Sequence, residues 1–551
     1  MAHAVSTNLS VIIPSKDIND HDTPSQSFTL VKKTTTILQQ ALTTRVALIS
    51  VTATTSTPSI SISSTRTPQP ITLTLGLLSD PEQSRRLVDH GPPANDREAA
   101  ASFRAFWGEK AELRRFKDGS ILESVVWNCR TTEERYSIVK RIVRYVIARH
   151  LSAGVAGDIV FLTPSLLGMI VPPAQVVNTF VRTEGDAFIT LGEAFEAFVR
   201  HLKDLKDMPL AISSVIPVSD GLTYTSVYPP YAQNYTHLSA QQPGSYYTPV
   251  HESIIQLEGS GKWPDDLRAI QKVKIGLFLH MASQLEASHS VATHVGLENS
   301  DVDIANAGYL DVVYEHGYAF RVRIQHDPNH REAQLIERSL KNKALAYVER
   351  TKFETALKRY QDTFIRGSAH AQALHALRGK HYFLPHAIRL MKRWISAHML
   401  SPQVSPRAIE LLVAYVFVHP HPYASPASAE VGFLRTVKLL ATWDWRKDPL
   451  VIDLNGSLTT SSYESISKAF TTFRKQDPGI AHSAWSLYTN YDAAGSCWTK
   501  DRPGKVIAAR ITALARSSLE VISKDSGTVK VFVSFRYLLI LANIHYSFDR
   551  L

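Results

Sequence analysis

Two cysteines in 551 residues, Cys129 and Cys497, leave almost no sulfur chemistry to assign. They lie far apart and outside any Cys-x-x-Cys spacing, which excludes a disulfide framework and a cysteine-ligated zinc site and fits a reducing, intracellular compartment. Long apolar runs are also missing. The most apolar late stretch, "VKVFVSFRYLLILANI" over 529–544, is broken by Lys530 and Arg536 and falls short of the roughly 20 residues that span a bilayer. The opening "MAHAVSTNLSVIIPSKD" has no basic segment leading into an apolar core, so neither a secretory signal nor a membrane partner is expected. No Gly-x-Ser-x-Gly or His-Glu-x-x-His occurs. "HPHPY" at 419–423 alternates His with Pro, lacks helical metal spacing and reads as a loop. "EGSGKWPDD" at 258–266 lacks the spacing of a phosphate loop. It reads as a tight turn in which Pro264 and Asp265-Asp266 start the next helix.

What is present is length and positive charge. The chain is long enough for two to four compact units, each with its own core. Sixty Lys+Arg against 50 Asp+Glu give a formal charge of +10, a balance that favours an anionic partner. Residues 1 to about 70 are rich in Ser and Thr, with one candidate helix and the linker-like "TATTSTPSISISSTRTPQP". The alternation of Ile71, Leu73 and Leu75 then predicts a strand. Asn95-Asp96 predicts the cap of a helix carrying Phe103, Phe106 and Trp107 on one face. "LRRFKDGSILESVVW" predicts a hairpin about Asp118-Gly119, and "TTEERYSIVKRIVRYVIARHL" an amphipathic helix with a basic outer face. From 188 the pattern alternates: helix, the strands "LAISSVIPV", "TYTSVYPP" and "ESIIQLEGS", a long helix over 267–286, and the strands "YLDVVY" and "YAFRVRIQ". This is an α+β unit with a mixed or antiparallel sheet. Residues 335 to 480 read as mainly helical.

Lys110, Arg114, Arg115 and Lys117 form the densest cation cluster, with Phe116 and Trp127 as stacking platforms. The competing reading is a solvated face partly cancelled by Glu109, Glu112 and Asp118 beside a buried strand. The same two readings apply to Lys140, Arg141, Arg144 and Arg149.

Three blocks share one further property. "LTLGLLSDPEQSRRLVDHGPPAN" with "FRAFWGEKAELRRFKDGSILESVVW" (73–127), "IIQLEGSGKWPDDLRAIQKVKIGLFLHMASQLE" (254–286), and "IRLMKRWISAHMLSPQVSPRAIELLVAYVF" (388–417) with "GFLRTVKLLATWDWRKDPLVIDLNG" (432–456) together resemble the Nrap family, the nucleolar RNA-associated proteins of the small-subunit processome. The resemblance runs over roughly residues 70 to 515. It implies a multidomain α+β fold: a degenerate nucleotidyltransferase-like domain followed by a helical domain similar to poly(A) polymerase and oligoadenylate synthase, preceded by a tail-type α+β domain. The implied boundaries are a disordered start at 1–19, the tail-type domain at 20–175, the nucleotidyltransferase-like domain at 176–334, the helical domain at 335–520 and an atypical tail at 521–551. The first module and the final domain of the family are expected to be missing. The implied partners are pre-ribosomal RNA or small nucleolar RNA and other small-subunit processome proteins, in the nucleus and nucleolus. No cofactor and no small-molecule substrate are expected.

An active relative needs a Gly-Ser turn for the triphosphate, an Asp-x-Asp pair on the next strand and a third carboxylate on a neighbouring one, which together hold two magnesium ions. The resemblance puts Ser213-Ser214 where Gly-Ser would stand, with Tyr224 and Ser226 near the carboxylate positions. Hydroxyls alone do not hold Mg²⁺. Asp220 reads as an Asx-turn or helix-cap residue. Asp301-Val302-Asp303, with Asp311 beyond it, resembles the acidic motif but follows the long helix rather than a Gly-Ser turn, so it reads as a loop entering a strand. The chain is therefore expected to be a non-catalytic nucleotidyltransferase. The resemblance also places Lys392 and Arg393 in the cleft between the nucleotidyltransferase-like and helical domains, with Trp394 packed inside. Arg321 and Arg323, alternating with Phe320, Val322 and Ile324, reach the same cleft from a strand.

Overall fold

The computed structural model describes residues 7–13, 23–55, 71–116, 119–129, 132–151, 159–161, 184–232, 249–261, 263–298 and 303–524. Two compact units result, one built on residues 1–167 with 419–439 and 515–551, the other on 168–418 with 440–514. The apolar stretch at 529–544 lies outside the described residues. Among those described, no helix is long and apolar enough to cross a membrane.

The first unit contains β1 (Thr7–Ile13), α1 (Thr23–Leu42), β2 (Val46–Thr55), β3 (Ile71–Ser79), β4 (Val88–Pro93), α2 (Arg97–Trp107), β5 (Ala111–Arg115), β6 (Ile121–Val126), α3 (Thr132–Arg135), α4 (Ile138–His150) and β7 (Ile159–Phe161). Its strands form two sheets, β2-β3-β1-β7 and β4-β6-β5. The expected alternation holds in β3, where Leu73, Leu75 and Leu77 are fully buried against Leu38 and Leu42 of α1. Asp96 caps α2, its carboxylate accepting the Ala99 N–H. Phe106 and Trp107 then join Trp127 and Tyr145 in an aromatic cluster. The single helix expected over 131–151 is broken at Tyr136-Ser137, and the Ser137 hydroxyl donates back to the Glu134 carbonyl at 2.6 Å.

One carboxylate ties these layers together. Asp89 on β4 accepts from Arg45 Nε at 3.0 Å and Nη2 at 2.9 Å, from Arg86 Nε at 2.8 Å and from Trp127 Nε1 at 3.0 Å. Arg45 has no solvent exposure. Removing its partner leaves an uncompensated buried charge, so Asp89→Ala is expected to destabilise this unit by about 3–5 kcal/mol, measured by denaturant unfolding. A loss below about 1 kcal/mol, the scale of an exposed pair, would show that the carboxylate is dispensable.

The second unit holds α5 (Glu184–Lys203), β8 (Ile212–Pro217), β9 (Val250–Leu257), α6 (Leu267–Ser288), β10 (Val291–Leu297), β11 (Gly308–Tyr314) and β12 (Ala319–Gln325). Next come α7 (Arg331–Leu340), α8 (Tyr347–Tyr360), a π-helical turn over Gln361–Gly367, α9 (Ser368–Lys380), α10 (Phe383–Ala397) and α11 (Pro406–Val418). The remaining elements are α12 (Ala429–Thr442), which begins in the first unit's share of the chain, β13 (Leu450–Ile452), α13 (Thr460–Gln476), β14 (Leu487–Thr489) and α14 (Lys505–Lys524), which ends in that share. The principal sheet runs β10-β11-β12-β9-β8 and is mixed: β9 and β12 are parallel, the other pairs antiparallel. One face packs on α5 and α6 through Phe198, Phe278, Leu310 and Phe320. On the opposite face Ile216 and Ile254 meet Tyr360 and Phe364 of the helical layer. Asp266 caps α6 by accepting the Ala269 N–H, as "KWPDD" predicts, and Trp263 is buried against His326.

Two expectations fail here. "TYTSVYPP" is not a strand but a chain of turns after β8, with Tyr224 at φ +64°. The unanticipated strand β10, whose Val291, Val295 and Leu297 in "VATHVGL" fall on one alternating face, closes the sheet's far edge.

Candidate functional site

The turn that leaves β8 positions the site. Thr223 N–H donates to the Ser219 carbonyl, and Thr225 and Ser226 N–H both donate to that of Asp220. Gly221 is required within it, because a Cβ there would stand 2.7 Å from the His251 ring. Ser213 and Ser214 lie inside β8, their hydroxyls bonded to Gln256 of the neighbouring strand. The first turn after the strand is Ser219-Asp220-Gly221, so Ser213-Ser214 do not form the expected turn. Tyr224 and Ser226 lie in the turn, off any strand. The Tyr224 ring stacks on Phe188 at 5.3 Å, with the Arg378 guanidinium 3.5 Å above Tyr224 and that of Arg389 4.7 Å from Phe188.

From this turn Asp220 and Thr225 reach the helical layer, so Asp220 is an ion-pair partner rather than an Asx-turn or cap residue. Lys392 Nζ on α10 lies 2.8 Å from Asp220 Oδ2 and 2.7 Å from Glu410 Oε1 on α11. Glu410 also accepts the Thr225 hydroxyl at 2.9 Å, and its Oε2 lies 2.6 Å from His370 Nε2 and 3.4 Å from Arg407 Nη1. His370 Nδ1 contacts the Tyr491 hydroxyl at 2.7 Å, which accepts from Trp498 Nε1. Burial opposes ionisation of Glu410, but Lys392, Arg407 and the His370 hydrogen bond outweigh it and hold the carboxyl well below its usual range. Burial also lowers His370 despite Glu410, so the imidazole is neutral, donating to Glu410 and accepting from Tyr491. For Lys392, burial is outweighed by Glu410 and Asp220, which raise its pKa and keep it charged.

A second network lies on the same unit's sheet. Arg321 grips Asp311 by Nε at 2.7 Å and Nη2 at 2.8 Å and lies 3.8 Å over the Tyr309 ring. Arg323 Nη2 meets Glu298 at 2.8 Å and Glu252 at 3.2 Å. Arg321 and Arg359 also pair with Glu298. The register puts Arg321 opposite Asp311, so that pair follows directly from strand pairing, whereas Arg323 reaches Glu252 diagonally, from two positions along β12.

These contacts correct the expected cleft cations. Lys392 and Arg393 are only 7% and 8% exposed, and Lys392 is committed to two carboxylates. Arg323 is likewise buried, and Arg321 is half-buried in its Asp311 fork. In the tail-type region Arg114 pairs with Glu112 at 2.8 Å, and Lys110 lies 5.7 Å from the Trp127 ring. Arg115 is exposed and makes no ion pair among the described residues; Lys117 and Asp118 lie outside them. Much of the second cluster anchors α4: Arg141 donates to the Asn128 carbonyl and Arg149 to those of Phe106 and Ala105.

Of the acidic motif, Asp301 and Val302 lie outside the described residues. Asp303 pairs with Arg268 at 2.7 Å and Asp311 with Arg321. No group of three or more His, Cys, Asp or Glu able to hold a metal occurs among the described residues. The tip joining α7 to α8 passed unnoticed in the sequence. There Tyr347 is 83% exposed and Val348 66%, with exposed Lys341, Lys343 and Lys352 around them. Its only sequence signal was the spacing of lysines about "ALAY".

Burial pushes two histidines of this unit, His251 and His386, down to about 4. A depressed folded pKa means that the unfolded chain binds more protons between pH 6.5 and 4. Stability is then complete above about 6.5 and falls as the pH drops through that window, by up to roughly 1.4 kcal/mol per pH unit for each group. Urea unfolding between pH 7 and 4.5 is expected to show this slope, reduced in the His251→Gln and His386→Gln variants. Parallel profiles for wild type and variants would exclude these histidines as its source.

Three models of one family match the chain in order: Nrap protein domain 3 over residues 5–152, Nrap protein nucleotidyltransferase domain 4 over 170–379, and Nrap protein PAP/OAS1-like domain 5 over 381–538. U3 small nucleolar RNA-associated protein 22 of Schizosaccharomyces pombe is 35% identical over 512 residues, covering 93% of this chain and 44% of that protein. Nucleolar protein 6 of Homo sapiens is 30% identical over 467 residues, 82% of this chain and 38% of that one. The chain spans about two fifths of the length of these curated relatives. Among solved structures, terminal uridylyl transferase 4 from Trypanosoma brucei with bound UPU aligns with 67% of this chain and 99% of its own, at 13% identity and a TM-score of 0.29. Successive matches to its third, fourth and fifth domains identify the chain as a member of the Nrap family.

Proposed function

We propose that this chain is a non-catalytic, RNA-binding scaffold of the nucleolar small-subunit processome, supporting pre-ribosomal RNA processing and small-subunit biogenesis. The relatives' names, U3 small nucleolar RNA-associated protein and Nucleolar protein 6, support the nucleolar and ribosome-biogenesis part of this reading. The observation that carries the non-catalytic part is the state of the carboxylates on the sheet. Glu252, Glu298 and Asp311 are each engaged by arginine, so guanidinium groups stand where a two-metal site needs an uncompensated negative field. Near the turn after β8, where an acid pair would be needed, the described residues offer a single carboxylate, Asp220, which Lys392 neutralises.

RNA contact then falls to cations free of such pairs. The tip between α7 and α8 offers them: Lys341, Lys343 and Lys352 for phosphates and Tyr347 as a stacking face. The partners proposed are pre-ribosomal or small nucleolar RNA together with other processome proteins.

Two measurements test this. Purified chain with Mg²⁺ and nucleoside triphosphates is expected to add no nucleotides to an RNA primer; robust addition lost on Asp301→Ala and Asp303→Ala would overturn the non-catalytic reading. Binding to structured ribosomal precursor RNA is expected to weaken as salt rises, and the Lys341→Glu, Lys343→Glu, Lys352→Glu triple variant to reduce the log–log slope by about two. Binding absent at low salt would leave a protein-only interaction platform as the better account.

A further inference from the structure

The outer edge of β5 belongs to the first unit and takes no part in either ion network. In the sheet β4-β6-β5 this strand has β6 as its one hydrogen-bonded neighbour among the described residues. The ladder pairs Ala111 with Val125, Glu112 with Ser124, Leu113 with Glu123, Arg114 with Leu122 and Arg115 with Ile121. Beyond it, the Phe116 N–H donates to the Ser120 carbonyl at 2.8 Å. Opposed residues in an antiparallel pair alternate between hydrogen-bonded and non-bonded positions. Counting back from Phe116, Arg114 and Glu112 turn their backbone groups toward β6, whereas Arg115, Leu113 and Ala111 turn theirs to the open edge.

The side chains on this edge carry a matching pattern. Residues 112–115 are all exposed, and Leu113 at the strand's centre is 58% exposed. Leu113 and Ile121 lie diagonally across the ladder on one face, and Ile121 is 48% exposed. Arg115, opposite Ile121, shares that face and has no ion-pair partner among the described residues. On the other face Glu112 already neutralises Arg114. Sheets blunt their edges with charge, bulges or covers; β5 carries Glu112, Arg114 and Arg115 but keeps an unbroken register and places an apolar side chain mid-strand.

We propose that β5 is a docking strand for an extended segment of a partner protein, which adds to the sheet beside it. The segment would set an apolar side chain against Leu113 and Ile121 and an acidic one against Arg115. Backbone groups at alternate residues are complementary to another polypeptide strand, and the apolar pair between them gives a peptide side chain a surface to cover. A polynucleotide supplies neither. This assignment stands whether or not the chain binds RNA.

A labelled peptide alternating valine with glutamate is the probe, titrated against the full chain by fluorescence anisotropy. Binding is expected, weaker for the same peptide with lysine in place of glutamate. Leu113→Pro removes an N–H that β6 does not use, a change edge strands tolerate, and is expected to weaken binding about tenfold, the scale of one backbone hydrogen bond. Leu113→Ala with Arg115→Glu leaves the backbone intact and is expected to lose binding through the side chains, which keeps the test valid if the proline variant misfolds. No binding to wild type, or undiminished binding to the double variant, would overturn the proposal. So would displacement of the peptide by a uridine-rich oligoribonucleotide, or a dimer of the free chain abolished by Leu113→Pro.

Discussion

Glu410 has no access to water, and the arrangement of the second unit follows from keeping its charge satisfied. A buried carboxylate is tolerable only with partners on both oxygens. Lys392 and Thr225 serve one oxygen, His370 and Arg407 the other. Those four come from the turn after β8 and from helices α9, α10 and α11. The family's fourth and fifth domains meet at residues 379–381, yet Thr225 and His370 lie before that point and Lys392, Arg407 and Glu410 after it. A boundary drawn by similarity therefore runs through one charged cluster, and neither side satisfies it alone. Such clusters are weak sources of net stability and stronger determinants of which packing is allowed.

The arginine network on the sheet has a different character. Its members other than the buried Arg323 are partly exposed, and its three arginines, Arg321, Arg323 and Arg359, face three acids, Glu252, Glu298 and Asp311. The charges cancel locally, so this group of side chains carries little net field toward metal ions or phosphate. Exposed lysines of the same unit stand instead at the tip of α7 and α8, where Lys341, Lys343 and Lys352 surround Tyr347.

Where local chemistry decides structure, the sequence was readable. Leu73 and Leu75 alternate because β3 buries one face, and Asp96 and Asp266 precede helices because their carboxylates satisfy N–H groups the helix leaves unpaired. "TYTSVYPP" has the composition of a strand, but Gly221 pressed on His251 and Tyr224 held beneath Arg378 bend it into turns; tertiary contacts overrode propensity. The cations were harder still. A sequence displays charge without its partner, and Lys392 finds Asp220 across 172 positions and Arg323 finds Glu252 across 71. Hence residues that looked like a nucleic-acid surface became interior fasteners, while the exposed lysines around Tyr347 drew no notice.

The π-helical turn between α8 and α9 has its own implication for how this sequence can change. It carries one residue more per turn than the helices on either side, and Gly367 fits because a Cβ there would meet the Asp362 carbonyl at 2.8 Å. Tyr360 just before it and Phe364 within it face the sheet; beyond it His370 faces Glu410. Deleting a single residue from 361–367 would yield a more regular helix and rotate everything beyond it by about 100°, carrying His370 off its carboxylate. Here a gain in local regularity and the loss of long-range register are one event, so the irregular turn works as a phase-setting element between two cores.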